Sequence, residues 1–175
     1  MRHLNQQVFV SHASADVEKV KDICAKLNEH NIQLWASFKD IPPGAKWDQA
    51  IQDALEASSH VLVIASQTSI NSSYVRTEIE YALDNDKIVI PILIEDLKLP
   101  LRWHTLQYFD YAKGGNESLI QLAEFLPKNT VKRFEELLNE PHGFDNLKEL
   151  LYENAHWIQA IVGHVILNQR KASVR

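Results

Sequence analysis

A carboxylate four residues after an aromatic ring, early in a helical pattern, is the pair in this 175-residue chain best suited to chemistry: Tyr74 and Glu78. At about 100° per residue, the apolar stripe of the segment Ser73 to Ala82 centres between Val75 and Ile79. Glu78 then lies at its edge beside Tyr74, while Glu80 points well away. A half-sheltered carboxylate of this kind can stabilise developing positive charge or move a proton. The same spacing also describes an ordinary solvated acid near a helix start. The remaining candidates fall in two hydroxyl-rich, charge-poor stretches, Ser11-His12-Ala13-Ser14-Ala15-Asp16 and Ser66 to Ser73, and in the long segment Ser37 to Lys46. His12 has no cysteine or second histidine at metal-ligand spacing, so no metal site is expected; its bland reading is a loop residue bonded to backbone.

Other chemistries fail on residues. A phosphorelay receiver needs paired acids after its first strand and an aspartate after its third, where this chain has Ser11-His12 and Ser66-Gln67. The five glycines form neither a dinucleotide fingerprint nor a P-loop, and no G-x-S-x-G elbow is present. A formal charge of −5 argues against direct binding of nucleic acid, which rests on Lys and Arg neutralising phosphates. The single Cys24 has no partner for a disulfide; it is expected in the core of a protein from a reducing compartment. Met1 to Gln7 is polar, and no apolar run approaches the roughly 18 residues of a membrane span. A soluble cytoplasmic chain with no membrane partner is expected.

The elements that must position these residues are legible in the apolar pattern. Val8 to Ser11, Ile32 to Ala36, His60 to Ser66 and Lys87 to Glu95 are nearly continuous in Val, Ile and Leu, as strands covered on both faces are. Helical spacing follows each of the first three: Val17, Val20, Ile23, Cys24 and Leu27; Trp47, Ile51, Ala54 and Leu55; Val75, Ile79, Ala82 and Leu83. Ser14 with Asp16, Pro43-Gly44, and one of Asn71, Ser72 or Ser73 supply the helix starts. A weaker strand at Leu106 to Ala112 and a helix near Glu117 to Leu126 complete a five-stranded α/β unit, doubly wound and parallel. Pro91 cannot donate to a ladder and is read as a bulge near the end of the fourth strand. In a flavodoxin-like order the ligand crevice lies between strands one and three, at the ends where Ser11 and Ser66 stand.

In this order, Val8-Phe9-Val10-Ser11-His12-Ala13-Ser14 with Asp16, Leu34-Trp35 with the loop ending Pro43-Gly44-Ala45-Lys46-Trp47, Val61 to Ser66, Tyr74-Val75-Arg76-Thr77-Glu78-Ile79 and Ile88-Val89-Ile90-Pro91-Ile92 resemble bacterial Toll/interleukin receptor (TIR) domains. The resemblance implies a TIR domain over residues 1–126 with a flavodoxin-like doubly wound five-stranded sheet. Residues 127–175 are expected to be a C-terminal helical extension, a candidate linker to a further domain. Many TIR domains cleave NAD at the nicotinamide glycosidic bond with a glutamate in a W-x-x-x-E pattern; Glu78 matches that glutamate. Tyr74 stands where tryptophan is usual, and Ser37 stands where the family often has an acid two residues after Trp35.

What the resemblance implies is an NAD-cleaving enzyme of signalling or defence, with NAD as substrate rather than cofactor, giving nicotinamide and ADP-ribose or its cyclic form. Glu78 would be catalytic. Tyr74 and Trp47 would be aromatic walls, and Ser11, His12, Ser37 and Ser66 polar substrate contacts. The loop carrying Phe38, Lys39, Pro43 and Gly44, with Phe38 expected to be exposed, would touch a neighbouring TIR domain and activate the enzyme by self-assembly. Two alternatives stay open: a non-catalytic scaffold binding other TIR domains, and an enzyme like the nucleoside deoxyribosyltransferases. In the tail, Trp157, Ile158, Ile161, Val162, Val165 and Ile166 recur at helical spacing and predict a helix that must bury that stripe.

Overall fold

The computed structural model describes residues 7–129; the tail helices expected from the sequence lie outside them. A compact unit spans Gln6–Lys128. Its strands are β1 (Val8–Ser11), β2 (Leu34–Trp35), β3 (His60–Ala65), β4 (Ile88–Leu93) and β5 (Phe109–Asp110), all parallel, in the order β2-β1-β3-β4-β5. Its helices are α1 (Val17–Glu29), α2 (Ser37–Asp40), α3 (Trp47–Ala57), α4 (Gln67–Asn71), α5 (Ser73–Asp84) and α6 (Tyr111–Phe125). This is the flavodoxin-like doubly wound sheet expected.

Alternation along the strands separates two cores. Val8, Val10, Leu62, Ile64, Ile90 and Ile92 face α1 and α6, where Val20, Ile23, Cys24, Leu27, Leu119 and Leu122 meet them. Phe9, Val61, Val63, Val89 and Leu93 face the opposite way, onto Ala54 and Leu55 of α3 and Val75, Ile79 and Ala82 of α5. Both faces are covered, which is why these strands are apolar throughout instead of every second residue. Cys24 is buried and burial pushes its thiol up to about 11, so it packs as a small apolar side chain.

Four details differ from the sequence reading, each for a local reason. Pro91 makes no bulge: β3 and β4 pair without interruption from His60↔Ile88 through Val63↔Pro91 to Ala65↔Leu93. The Ile88 and Ile94 N–H groups donate to Ser59 and Ala65, so the even-numbered residues of β4 serve β3 and Pro91 turns its nitrogen to the other side. There β5 begins only at Ile92↔Phe109, and no ladder bond is lost. The loop after β2 contains the short helix α2, closed by Asp40, whose carboxylate accepts the Ala36 N–H at 2.7 Å. Phe38 is therefore not an exposed loop tip; it is partly buried against the α1 core. Finally, β5 has only two residues because Asp110 caps the next turn through the Lys113 N–H, and α6 starts there, broken at Gly115 where φ is 54°.

Candidate active site

Because β1 and β3 are neighbours while their helices leave to opposite faces, the loops after them part and leave a crevice. It is a cleft of about 630 Å³. The turn Ala13 to Ala15 after β1 forms one side. Gln67, Thr68 and Asn71 of α4, then Ser72, Tyr74 and Glu78, form the other, with Ser37 and Trp47 at the β2 side.

Glu78 is the one carboxylate among the described residues that line this cleft. Ser11, at the end of β1 and 1% exposed, donates its hydroxyl to Glu78 Oε2 at 2.6 Å. Burial pushes the Glu78 carboxyl up to about 7, and the Ser11 hydrogen bond works against that rise by stabilising the ionised form. The group thus titrates in the neutral range, where a carboxyl can both give and take a proton. Among the described residues lining the cleft none is Lys or Arg, so Glu78 supplies its field. Glu80 lies on another face, paired with Arg102 at 3.2 Å in solvent.

The other residues singled out from the sequence separate into two groups. His12, Ser37, Trp47 and Tyr74 line the cleft with Glu78. Trp47 and Tyr74 meet edge to face, their centroids 5.9 Å apart at 77°, and are 46% and 63% exposed, forming an aromatic rim. Ser11 and Ser66 are instead buried and engaged with protein groups. Ser11 positions Glu78. Ser66 donates to Asp16 Oδ2 at 2.6 Å and caps α4, accepting the Ser69 N–H at 3.0 Å. That network ties the β1 and β3 loops together and fixes the cleft floor. Phe38 packs edge-on against His12, with centroids 5.7 Å apart at 80°; Lys39 pairs with Asp40 at 2.7 Å and donates to the Leu34 carbonyl. Pro43 and Gly44 are exposed in the turn that leads into α3, Gly44 with φ 85°.

Sequence reasoning missed α4, which it read as loop. Its signal was the serine pair Ser66 and Ser69, a reciprocal capping box built with serine where glutamate or glutamine is usual. It also missed the clamp on α4 by Glu95, whose carboxylate accepts the Gln67 N–H from across the sheet end. Asp40, in the same loop as Ser37, is engaged in capping α2 through the Ala36 N–H. No group of three His, Cys, Asp or Glu side chains suited to a metal ion occurs among the described residues, and no described helix is long and apolar enough to cross a membrane.

Comparison with known proteins agrees with this architecture. Residues 8–126 match the TIR domain family. Protein y4cD of Sinorhizobium fredii is 24% identical over 143 residues, 77% of this chain and 22% of that protein. The stimulator of interferon genes protein of Magallana gigas is 24% identical over 148 residues, 78% of this chain and 35% of that one. The chain thus spans about a fifth to a third of the length of these relatives. Among solved structures, the TIR domain of the Toll-related receptor TRR-2 from Hydra magnipapillata superposes with a TM-score of 0.59 at 23% identity, covering 67% of this chain and 94% of that one. The TIR-STING receptor of C. gigas, solved with 2',3'-cGAMP, superposes with a TM-score of 0.58 at 20% identity, covering 70% of this chain and 41% of that one. With the family matched from the first strand to the last helix of the sheet unit, the chain belongs to the TIR domain family.

Proposed function

We propose that this TIR domain cleaves the nicotinamide glycosidic bond of NAD, with Glu78 as the catalytic residue. The observation that supports it is the half-buried carboxylate of Glu78, held by Ser11 in the crevice the doubly wound sheet creates between β1 and β3. The bond between ribose C1′ and the pyridinium nitrogen breaks, and its electron pair stays on nitrogen. Nicotinamide leaves neutral and needs no acid to protonate it. The sugar becomes cationic at C1′, as in other glycosidic cleavages, and a single carboxylate is enough to stabilise that charge and orient the ribose hydroxyls. Water then adds at C1′ and loses a proton, giving ADP-ribose; attack by an adenine nitrogen gives the cyclic form.

NAD enters this scheme as a substrate, and the aromatic rim of Trp47 and Tyr74 offers apolar surface to its flat base. Self-assembly through the loop between α2 and α3 would complete the site. The exposure of that rim also favours a second reading, a docking surface for another TIR domain without catalysis. Incubating the chain with NAD, and separately with a deoxynucleoside, then assaying nicotinamide and free base, separates these readings from a deoxyribosyltransferase-like activity. Glu78→Gln is expected to lower nicotinamide release on the order of a hundredfold or more. Undiminished release by the folded variant would refute the assignment.

A further inference from the structure

His12 is an acceptor in the cleft whose own donor is already used. Its Nδ1 lies 3.2 Å from the Val10 carbonyl. A carbonyl oxygen only accepts, so Nδ1 carries the proton. Burial holds the ring's pKa below its ordinary value, with the Val10 carbonyl and Asp16 opposing, so the imidazole is neutral near pH 7 and Nε2 is a bare lone pair. Phe38, edge-on against the ring, fixes its plane. Above pH 7, where its carboxyl is mostly ionised, Glu78 is a second acceptor, its Oε2 taken by Ser11 and its other oxygen left for a ligand. A ligand filling this cleft must therefore bring donors.

Ribose supplies hydroxyls, which the reading of the cleft as an NAD site assigns to Glu78. Besides hydroxyls, NAD carries N–H donors on its adenine amine and its nicotinamide carboxamide, and the carboxamide is the one borne by the base on the ribose assigned to Glu78. We infer that His12, through Nε2, selects a pyridine base bearing a carboxamide, as in NAD, over one bearing a carboxylate, as in nicotinic acid adenine dinucleotide. The carboxylate has no proton to give, places lone pair against lone pair at His12, and adds a negative charge to a cleft that already holds Glu78. A site built to receive a hydrogen bond rejects the analogue that lacks it far more strongly than an apolar pocket rejects a missing methylene.

This inference rests on the proposed NAD site, so the test has a binding arm and a cleavage arm. The full chain is titrated with nicotinamide and with nicotinate by NMR at about pH 7.5, where imidazole with a lowered pKa is neutral. Base release from the two dinucleotides is measured beside it. Nicotinamide is expected to bind at least about tenfold more tightly than nicotinate, with kcat/KM favouring NAD in the same direction. His12→Gln, whose amide both donates and accepts, should narrow the binding ratio to about threefold or less, moving KM for NAD more than kcat. His12→Phe should lose nicotinamide affinity and, with the opposing lone pair gone, raise that of nicotinate. Equal binding of the two bases, binding of neither, or an unchanged ratio in both folded variants overturns the inference. Preferential nicotinamide binding without NAD cleavage would leave the selectivity standing and remove the enzymatic reading; cleavage of NAD with equal binding of the bases would do the reverse.

Discussion

Replacing Ser11 with alanine should move the pH dependence of NAD cleavage without removing the catalytic group. Ser11 is buried, and its hydroxyl donates to Glu78 Oε2 at 2.6 Å, a short charge-assisted contact. Such a bond is worth about 1.5 to 3 kcal/mol to the ionised form. At about 1.4 kcal/mol per pH unit, its loss raises the Glu78 carboxyl by about one to two pH units. The carboxyl already stands at about 7 because burial dominates. If the carboxylate is the active form, kcat/KM rises with pH through that value in the free enzyme. In Ser11→Ala the same limb moves to the alkaline side, so activity near pH 6.5 falls by about tenfold or more while the high-pH plateau stays within a few-fold. The assay is initial nicotinamide release from about pH 5.5 to 9.5, at NAD concentrations below KM. A limb that stays in place in the folded variant, or moves to lower pH, would refute the coupling of Ser11 to Glu78.

Three further outcomes follow from the same geometry. Because the folded Glu78 carboxyl sits at about 7, above its ordinary 4.5, the folded state binds more protons than the unfolded state between those values, and stability falls as pH rises through that window. Glu78→Gln removes this penalty: urea unfolding should show it more stable than the parent above pH 7, by up to about 3 kcal/mol, and equal to it near pH 4; equal stability throughout would contradict the burial. Glu80→Gln breaks only the exposed pair with Arg102 and should change stability by about 0.5 kcal/mol or less, with nicotinamide release unchanged. If assembly activates the enzyme, specific activity should rise with protein concentration, and Lys46→Glu at the exposed loop should blunt the rise; constant activity in a chain that sedimentation shows to be monomeric would end that idea. Phe38→Asp would not test assembly, since Phe38 packs on the core and its replacement destabilises the domain.

The strands and the cleft's location were legible from sequence because both depend on near-neighbour patterns. Val61 to Ala65 is apolar without alternation, which means a strand covered on both faces, and strands joined by helices of this length run parallel. Once the order places β1 beside β3, the ends bearing Ser11 and Ser66 must flank a crevice. The position of Glu78 at the edge of a helical stripe was likewise a matter of period, and the cleft does contain it.

What sequence did not decide were contacts between residues distant along the chain. Whether Ser11 addresses substrate or Glu78, 67 positions away, depends on the separation and angle of β1 and α5, and those are set by the packing of Phe9, Val75 and Ile79 between them. Ser66 looked equally free to meet a ligand until the approach of Asp16 engaged its hydroxyl. Phe38 read as exposed because a loop was assumed where Asp40 closes a short helix. Local spacing is encoded in a few adjacent residues and survives any tertiary context. The ionisation of Glu78 does not: it is the difference between desolvation by a whole packed interior and one hydroxyl's hydrogen bond, and neither exists until the strands and helices have met.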